Sequence, residues 1–135
     1  MPWSAPSSRW HNVRRLHVWL HWTNWTVSPR CAPEQNRFDW QDVAYPSWGN
    51  GPRNQRSVAA EEGISRAAAA KLAVQWVVAF PESSQLRSQA TAAGGALFVG
   101  SHNGSVYALD QATGCTRWQF KAATEVRSAV TIALA

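Results

Sequence analysis

A repeat of about forty residues is the tightest constraint this sequence places on its own fold. Trp76 and Trp118 stand 42 positions apart, and Ser88-Gln-Ala-Thr-Ala is followed 40 positions later by Ser128-Ala-Val-Thr-Ile. Short apolar runs separated by turn residues fill the interval, about four to each repeat, which is the spacing of a β-propeller blade. An ordinary meander in a small sandwich also produces hairpins, but it gives no reason for two independent markers to agree on one period.

The individual elements follow from local patterning. Leu72, Val74, Trp76, Val78 and Phe80 recur at every second residue, which predicts a strand with one strongly apolar face, ended by Pro81. Thr91 lies in a short run (90–93) before Gly94-Gly95, and Ala96–Ser101 is the next apolar run. Asn103-Gly104 then predicts a tight hairpin of the type I′ kind, in which both central residues take positive φ. Ser105–Leu109 is the returning strand, the stretch 110–114 a second turn, and Cys115–Lys121 a further strand. Another strand is expected to begin at Val126 and run to Leu134. Ahead of all these, Ser65 is placed to cap a short helix in Arg66-Ala-Ala-Ala-Ala-Lys71, of two turns at most.

Charge and tryptophan are unevenly spread. Arg9, Arg14, Arg15 and Arg30 lie in the first thirty residues with no acid among them, whereas the whole chain carries only +5. The basic balance therefore describes a short head segment, and no nucleic-acid partner is expected. The stretch Trp10–Trp25 has the Arg/Trp composition of segments that lie in a headgroup layer, so membrane contact by residues 10–25 is one reading of it. His17 and His21 would share a helical face and are the residues a metal would need, but no carboxylate is placed to complete the set, and no metal is expected. The broken apolar pattern favours an irregular, poorly ordered head over residues 1–45. Charges interrupt every apolar run short of the roughly 18–20 residues of a spanning helix, and no secretory signal is visible at the start. Two cysteines, Cys31 and Cys115, are too few for a disulfide framework. A bridge between them and two free thiols are both open.

Ala108-Leu-Asp110-Gln-Ala-Thr113-Gly114-Cys-Thr-Arg-Trp118 matches, at every specified position, the Ala-x-Asp-x-x-Thr-Gly-x-x-x-Trp docking motif of quinoprotein propellers. The text around it, Gly94–Ser101 and Gly104–Asp110, resembles pyrroloquinoline-quinone-binding-like repeats. Trp48-Gly49-Asn50, Gly63-Ile64-Ser65 and Leu72–Phe80 resemble the leading segment of the polyvinyl-alcohol-dehydrogenase-like branch of the quinoprotein alcohol dehydrogenase superfamily. The resemblance covers residues 46–135 and implies an all-β, partial quinoprotein-like propeller. Its parts would be one four-stranded antiparallel blade (88–121), an outer strand of another blade (72–80), the start of a third, and a short helix. Within the motif, Ala108, Asp110, Thr113, Gly114 and Trp118 are implied to be structural, with Asp110 and Thr113 fixing the turn and Trp118 lying between neighbouring blades.

For a complete protein the resemblance implies pyrroloquinoline quinone and calcium near the axis of a ring of about eight blades, and oxidation of an alcohol there. It also implies a periplasmic location. The vicinal cysteine pair common in alcohol-oxidising members is absent, and no catalytic residue is expected here. Arg127, at the start of an expected inner strand, is the single cofactor-binding candidate. The chain by itself is expected to bind no cofactor and to be inactive. Val99, Tyr107, Trp118 and Phe120 are expected to lack the neighbour they pack against, so remaining blades or self-association are the expected partners. The second functional class the same text admits is a non-enzymatic propeller scaffold, such as one in outer-membrane protein assembly.

Overall fold

The computed structural model describes the backbone of His17–Val18 and residues 28–80, 82, 83 and 85–133. Strand β1 is His17–Val18, and it pairs in parallel with β2, Trp76–Val77. A one-turn helix α1, Arg66–Ala69, follows its cap as the sequence dictates: Ser65 Oγ accepts the Ala68 amide at 3.1 Å. The body is a four-stranded antiparallel sheet in sequential order. Its strands are β3 (Thr91–Ala93), β4 (Ala96–Gly100), β5 (Ser105–Asp110) and β6 (Thr116–Lys121). These bounds lie close to the runs read from the sequence, and the all-β expectation is met.

Alternation along the strands builds two apolar layers, one on each side of the sheet. Ala93, Ala96, Phe98 and Ala108 face one way, covered in part by Phe38, Val43, Trp118, Val130 and Ile132. Tyr107 and Leu109 face the other way, covered by Trp76, Val78, Phe80 and Leu97. The Phe80 and Tyr107 rings meet at 5.0 Å with a tilt of 52°, a geometry worth about 0.5–1.5 kcal/mol beyond the area it buries. Tyr107 is thus only 1% exposed, which corrects the expectation that it lacks a neighbour: the segment that follows β2 supplies one. Phe120, at 60% exposure, does remain uncovered.

Three further expectations are corrected. The strand expected over 72–80 is only Trp76–Val77, and Leu72 and Val74 are exposed. Alternation marks a face, but a ladder also needs a partner, and the described pairing with β1 is two residues long. The strand expected from Val126 is absent through residue 133. Residues 126–132 instead cross the first layer on single hydrogen bonds: the Val126 amide donates to Ser101 O, and the Ile132 amide to Pro46 O. Thr91 Oγ1 also donates to Val130 O.

The β4–β5 hairpin is the third correction. It turns through three residues, His102–Gly104, and only Gly104 has positive φ, at 78°. The Gly104 amide donates to Ser101 O at 3.0 Å and the Ser101 amide to Ser105 O at 2.8 Å. This is the pattern of a type I turn closed by a glycine bulge rather than a two-residue I′ turn. Asn103 still serves the turn, since its Oδ1 accepts the Ser105 amide at 3.0 Å.

Outside the sheet, residues 28–45 pack along it. Tyr45 and Ala92 exchange two backbone hydrogen bonds of 2.9 Å beside β3, while Cys31 is joined to Cys115 by a disulfide. The Trp10–Trp25 stretch, with the membrane reading of residues 10–25 and the His17/His21 metal reading, lies outside the described residues apart from the β1 backbone. No helix among the described residues is long and apolar enough to cross a membrane.

Candidate functional site

The turn between β5 and β6 gathers the densest polar network of the described chain. Asp110 ends β5, and its Oδ1 accepts both the Thr113 amide at 2.9 Å and the Thr113 hydroxyl at 2.8 Å. Its backbone closes the same turn, the Gly114 amide donating to Asp110 O and the Asp110 amide to Cys115 O, each at 2.8 Å. Short acceptors at such a position fold the chain back on itself without help from the core. Gly114 takes φ 73°, which an L side chain resists.

A β-bulge then aims two consecutive side chains at one side of the sheet. Ala108 pairs with Trp118 but Leu109 pairs with Thr116, which leaves Arg117 as the extra residue. Arg117 Nη2 reaches Asp110 Oδ2 at 2.8 Å and Gly95 O at 2.8 Å, and Nη1 reaches Gly94 O at 3.0 Å and Arg37 O at 2.7 Å. Its guanidinium carbon lies 5.0 Å from the centre of the Phe38 ring. Both members of the ion pair are buried, with side-chain exposures of 7% and 9%. Trp118, next along, tilts against Phe98 at 5.8 Å and is half-buried, opposite the fully buried Ala108.

A second tryptophan seats on the turn from outside. Trp76 Nε1 donates to Gln111 O at 3.0 Å and Gln75 Nε2 to Ala112 O at 2.6 Å. A Cβ placed on Gly114 would come within 2.7 Å of the Trp76 ring. The flat indole therefore lies on the one position in the turn that has no side chain.

Burial raises the Asp110 pKa, but the hydrogen bonds from the Arg117 and Thr113 side chains and the Thr113 amide, with the Arg117 charge, lower it by more. The net is a carboxyl held below its usual range. A group with a depressed folded pKa contributes stability above its unfolded value of about 3.9 and loses it as pH falls through the folded one. Unfolding free energy should therefore be flat in this contribution from neutral pH down to about pH 5, then fall below pH 4. Urea titrations at stepped pH check this, and in Asp110→Asn that part of the acid slope should disappear.

The structure brings Ala108, Asp110, Thr113, Gly114 and Trp118 together around one turn. Arg127 lies apart, exposed and ion-paired with Glu125, whose pKa is lowered by that hydrogen bond and by the Arg127 charge. No group of three or more His, Cys, Asp or Glu that could hold a metal ion occurs among the described residues. Asp110, the carboxylate of this turn, is already engaged by Thr113 and Arg117, so the turn residues do not fit a quinone–calcium pair. Sequence reasoning missed Arg117. The signal was present as an acid and a base flanking a turn, Asp110 and Arg117, but the bulge that makes them meet has no sequence mark of its own.

The site thus defines a mostly β protein in which a tryptophan lies on the turn between two strands of a four-stranded antiparallel sheet. Over 83 residues, 62% of the chain, it is 41% identical to a polyvinylalcohol dehydrogenase of a Pseudomonas species, and this covers 12% of that protein. Over 63 residues, 47% of the chain, it is 40% identical to the polyvinylalcohol dehydrogenase of Sphingopyxis sp. (strain 113P3), covering 9% of that protein. The chain therefore spans only about a tenth of the length of these relatives. No protein-family model matches it. The relationship to dehydrogenases implied by the docking-turn text agrees with these relatives.

Proposed function

We propose that this polypeptide forms a blade and part of an adjoining one in a quinoprotein propeller. The whole protein would oxidise alcohols, polymeric ones included, with pyrroloquinoline quinone and calcium. The observation that carries this reading is the 41% and 40% identity to two polyvinylalcohol dehydrogenases over 62% and 47% of the chain. Two observations support a joining role: Trp76 rests on the 110–114 turn, and Trp118, one repeat later, is only half-buried against Phe98. Asp110 belongs to the turn, fully engaged by Thr113 and Arg117, and does not take a substrate proton.

An exported protein is part of the same proposal. The Cys31–Cys115 disulfide suits an oxidising compartment such as the periplasm. Partners are the remaining blades, or a second copy where these are lacking.

The test is dye reduction with pyrroloquinoline quinone, calcium and polyvinyl alcohol. Turnover is expected from a protein carrying this segment within the full length of its relatives, and none from the 135-residue chain alone. Failure of the full-length protein to bind the quinone would favour the non-enzymatic scaffold instead. Turnover by the short chain would refute the joining role.

A further inference from the structure

Two Asn-Gly pairs occur in the sequence, Asn50-Gly51 and Asn103-Gly104, and both carry the same latent chemistry. A glycine amide nitrogen can attack the side-chain carbonyl of the asparagine before it, because no Cβ on the glycine hinders the approach. The fold treats the two pairs differently. Asn103 closes the β4–β5 hairpin: its Oδ1 accepts the Ser105 amide and its Nδ2 donates to the Tyr107 phenol oxygen, each at 3.0 Å. Gly104 is buried, its amide donating to Ser101 O at 3.0 Å and its carbonyl accepting the Ala122 amide at 2.7 Å. A Cβ placed on Gly104 would stand 3.0 Å from Thr124 O, so this peptide has little room to turn.

Asn50-Gly51 lies instead in the stretch 46–65, which contains neither helix nor strand. Both residues are left-handed, at φ 60° and 99°, a conformation that asparagine and glycine tolerate. Asn50 Nδ2 donates to Ser57 O at 2.8 Å, the Gly51 amide to Ser47 Oγ at 3.1 Å, and the Asn54 amide to Gly51 O at 3.0 Å. All three partners belong to the same loop. A Cβ placed on Gly51 would meet nothing within 4 Å, so the peptide has open space to rotate into.

We infer that Asn50 is a site of spontaneous deamidation and that the hairpin protects Asn103 from the same reaction. The Gly51 nitrogen loses its proton to water and bonds to Asn50 Cγ. The Cγ–Nδ2 bond breaks, ammonia leaves and a succinimide ring closes. Water then opens the ring, at Cγ to give aspartate or at the Asn50 main-chain carbonyl to give isoaspartate. One water is consumed, one ammonia is released and no electrons are transferred. At Asn50 the rearrangement stays within one loop, whereas at Asn103 it must open the end of a hairpin and free a buried glycine. Each net hydrogen bond that has to open first slows such a reaction by about two- to twelvefold, which sets the difference between the sites at about tenfold or more. The product exchanges the Nδ2 donor for a carboxylate oxygen facing Ser57 O, so the loop from 50 to 57 loses that tie. This inference stands apart from the proposed function and holds whether or not the whole protein binds a quinone.

The test incubates the full chain at neutral pH and body temperature and follows both sites by peptide mapping, with electron-transfer fragmentation to separate isoaspartate from aspartate. Asn50 should convert about tenfold or more faster than Asn103, with isoaspartate among its products. In urea, where loop and hairpin are both lost, the two rates should become comparable. Tyr107→Phe removes the acceptor of Asn103 Nδ2 and should speed conversion at Asn103 while leaving Asn50 unchanged. Equal rates in the folded chain, a preference that persists in urea, conversion at Asn50 without isoaspartate, or an Asn103 no faster in Tyr107→Phe would each overturn the inference.

Discussion

Replacing Arg117 by alanine is expected to lower the unfolding free energy by about 3–5 kcal/mol, the usual cost of stranding one partner of a buried ion pair. The guanidinium satisfies four acceptors at once: Asp110, Gly94, Gly95 and Arg37. Its loss leaves Asp110 Oδ2 and the buried Gly94 carbonyl short of a donor, while Gly95 O keeps the Gln111 amide and the exposed Arg37 carbonyl turns to water. Since domains of this size are stable by only about 5–15 kcal/mol in total, the variant should lose a large share of its stability. Urea denaturation followed by tryptophan fluorescence and far-ultraviolet circular dichroism measures the loss. Asp110→Asn combined with Arg117→Met should lose less than the sum of the two single changes, because neither charge is then left alone. A loss below about 1 kcal/mol for Arg117→Ala would mean that the pair behaves as a solvated surface bridge.

The second large effect is expected at Gly114. Valine there must adopt φ 73°, and its Cβ would intrude on Trp76, which now lies where that atom would be. Left-handed backbone costs an ordinary residue about 1–2 kcal/mol, and overpacking adds about 1–3 kcal/mol. Trp76 can escape the second cost by leaving the turn. The Nε1–Gln111 and Gln75–Ala112 bonds then go with it, and the cover over Tyr107 loosens. The expected result is a loss of about 2–5 kcal/mol together with a red shift of the Trp76 emission. Gly114→Val with Trp76→Ala should recover the packing part of the loss and keep the backbone part. A full-strength Trp76 hydrogen bond in Gly114→Val, seen as an unchanged indole N–H shift, would show that the contact is incidental.

The contrast between Arg117 and its neighbours in the motif shows how far local chemistry reaches. Asp110, Thr113 and Gly114 act on atoms within five residues of one another, so their spacing alone is enough to read the turn. The four main strands were legible for the same reason, since each is a short alternating run closed by its own turn residues. Arg117 acts on Gly94, Gly95 and Arg37, which only the assembled sheet brings near. Its orientation depends on a bulge, and a bulge is a one-residue mismatch between two strands that neither strand records by itself.

Where the reading from sequence overreached, a face had been identified without its cover. Leu72 and Val74 alternate as well as Trp76 and Val78 do, yet nothing among the described residues lies over them, and the strand stops at two residues. The segment after Val126 has β-rich composition but meets Ser101, Pro46 and the Thr91 hydroxyl one bond at a time. Asn103-Gly104 does mark a hairpin. The three-residue loop was set by how β4 and β5 align, Gly100 opposite Val106.

By itself, then, the amino-acid order determined the all-β character, the strands from β3 to β6, the capped turn of helix and the Asp110–Gly114 turn. All of these rest on preferences that act within a few residues. Tertiary structure decided the Cys31–Cys115 bond, the Arg117 network, the seat of Trp76 on Gly114 and the cover over Tyr107. Those depend on meetings between segments tens of residues apart, and such meetings are fixed by which surfaces remain to be buried once the sheet has formed.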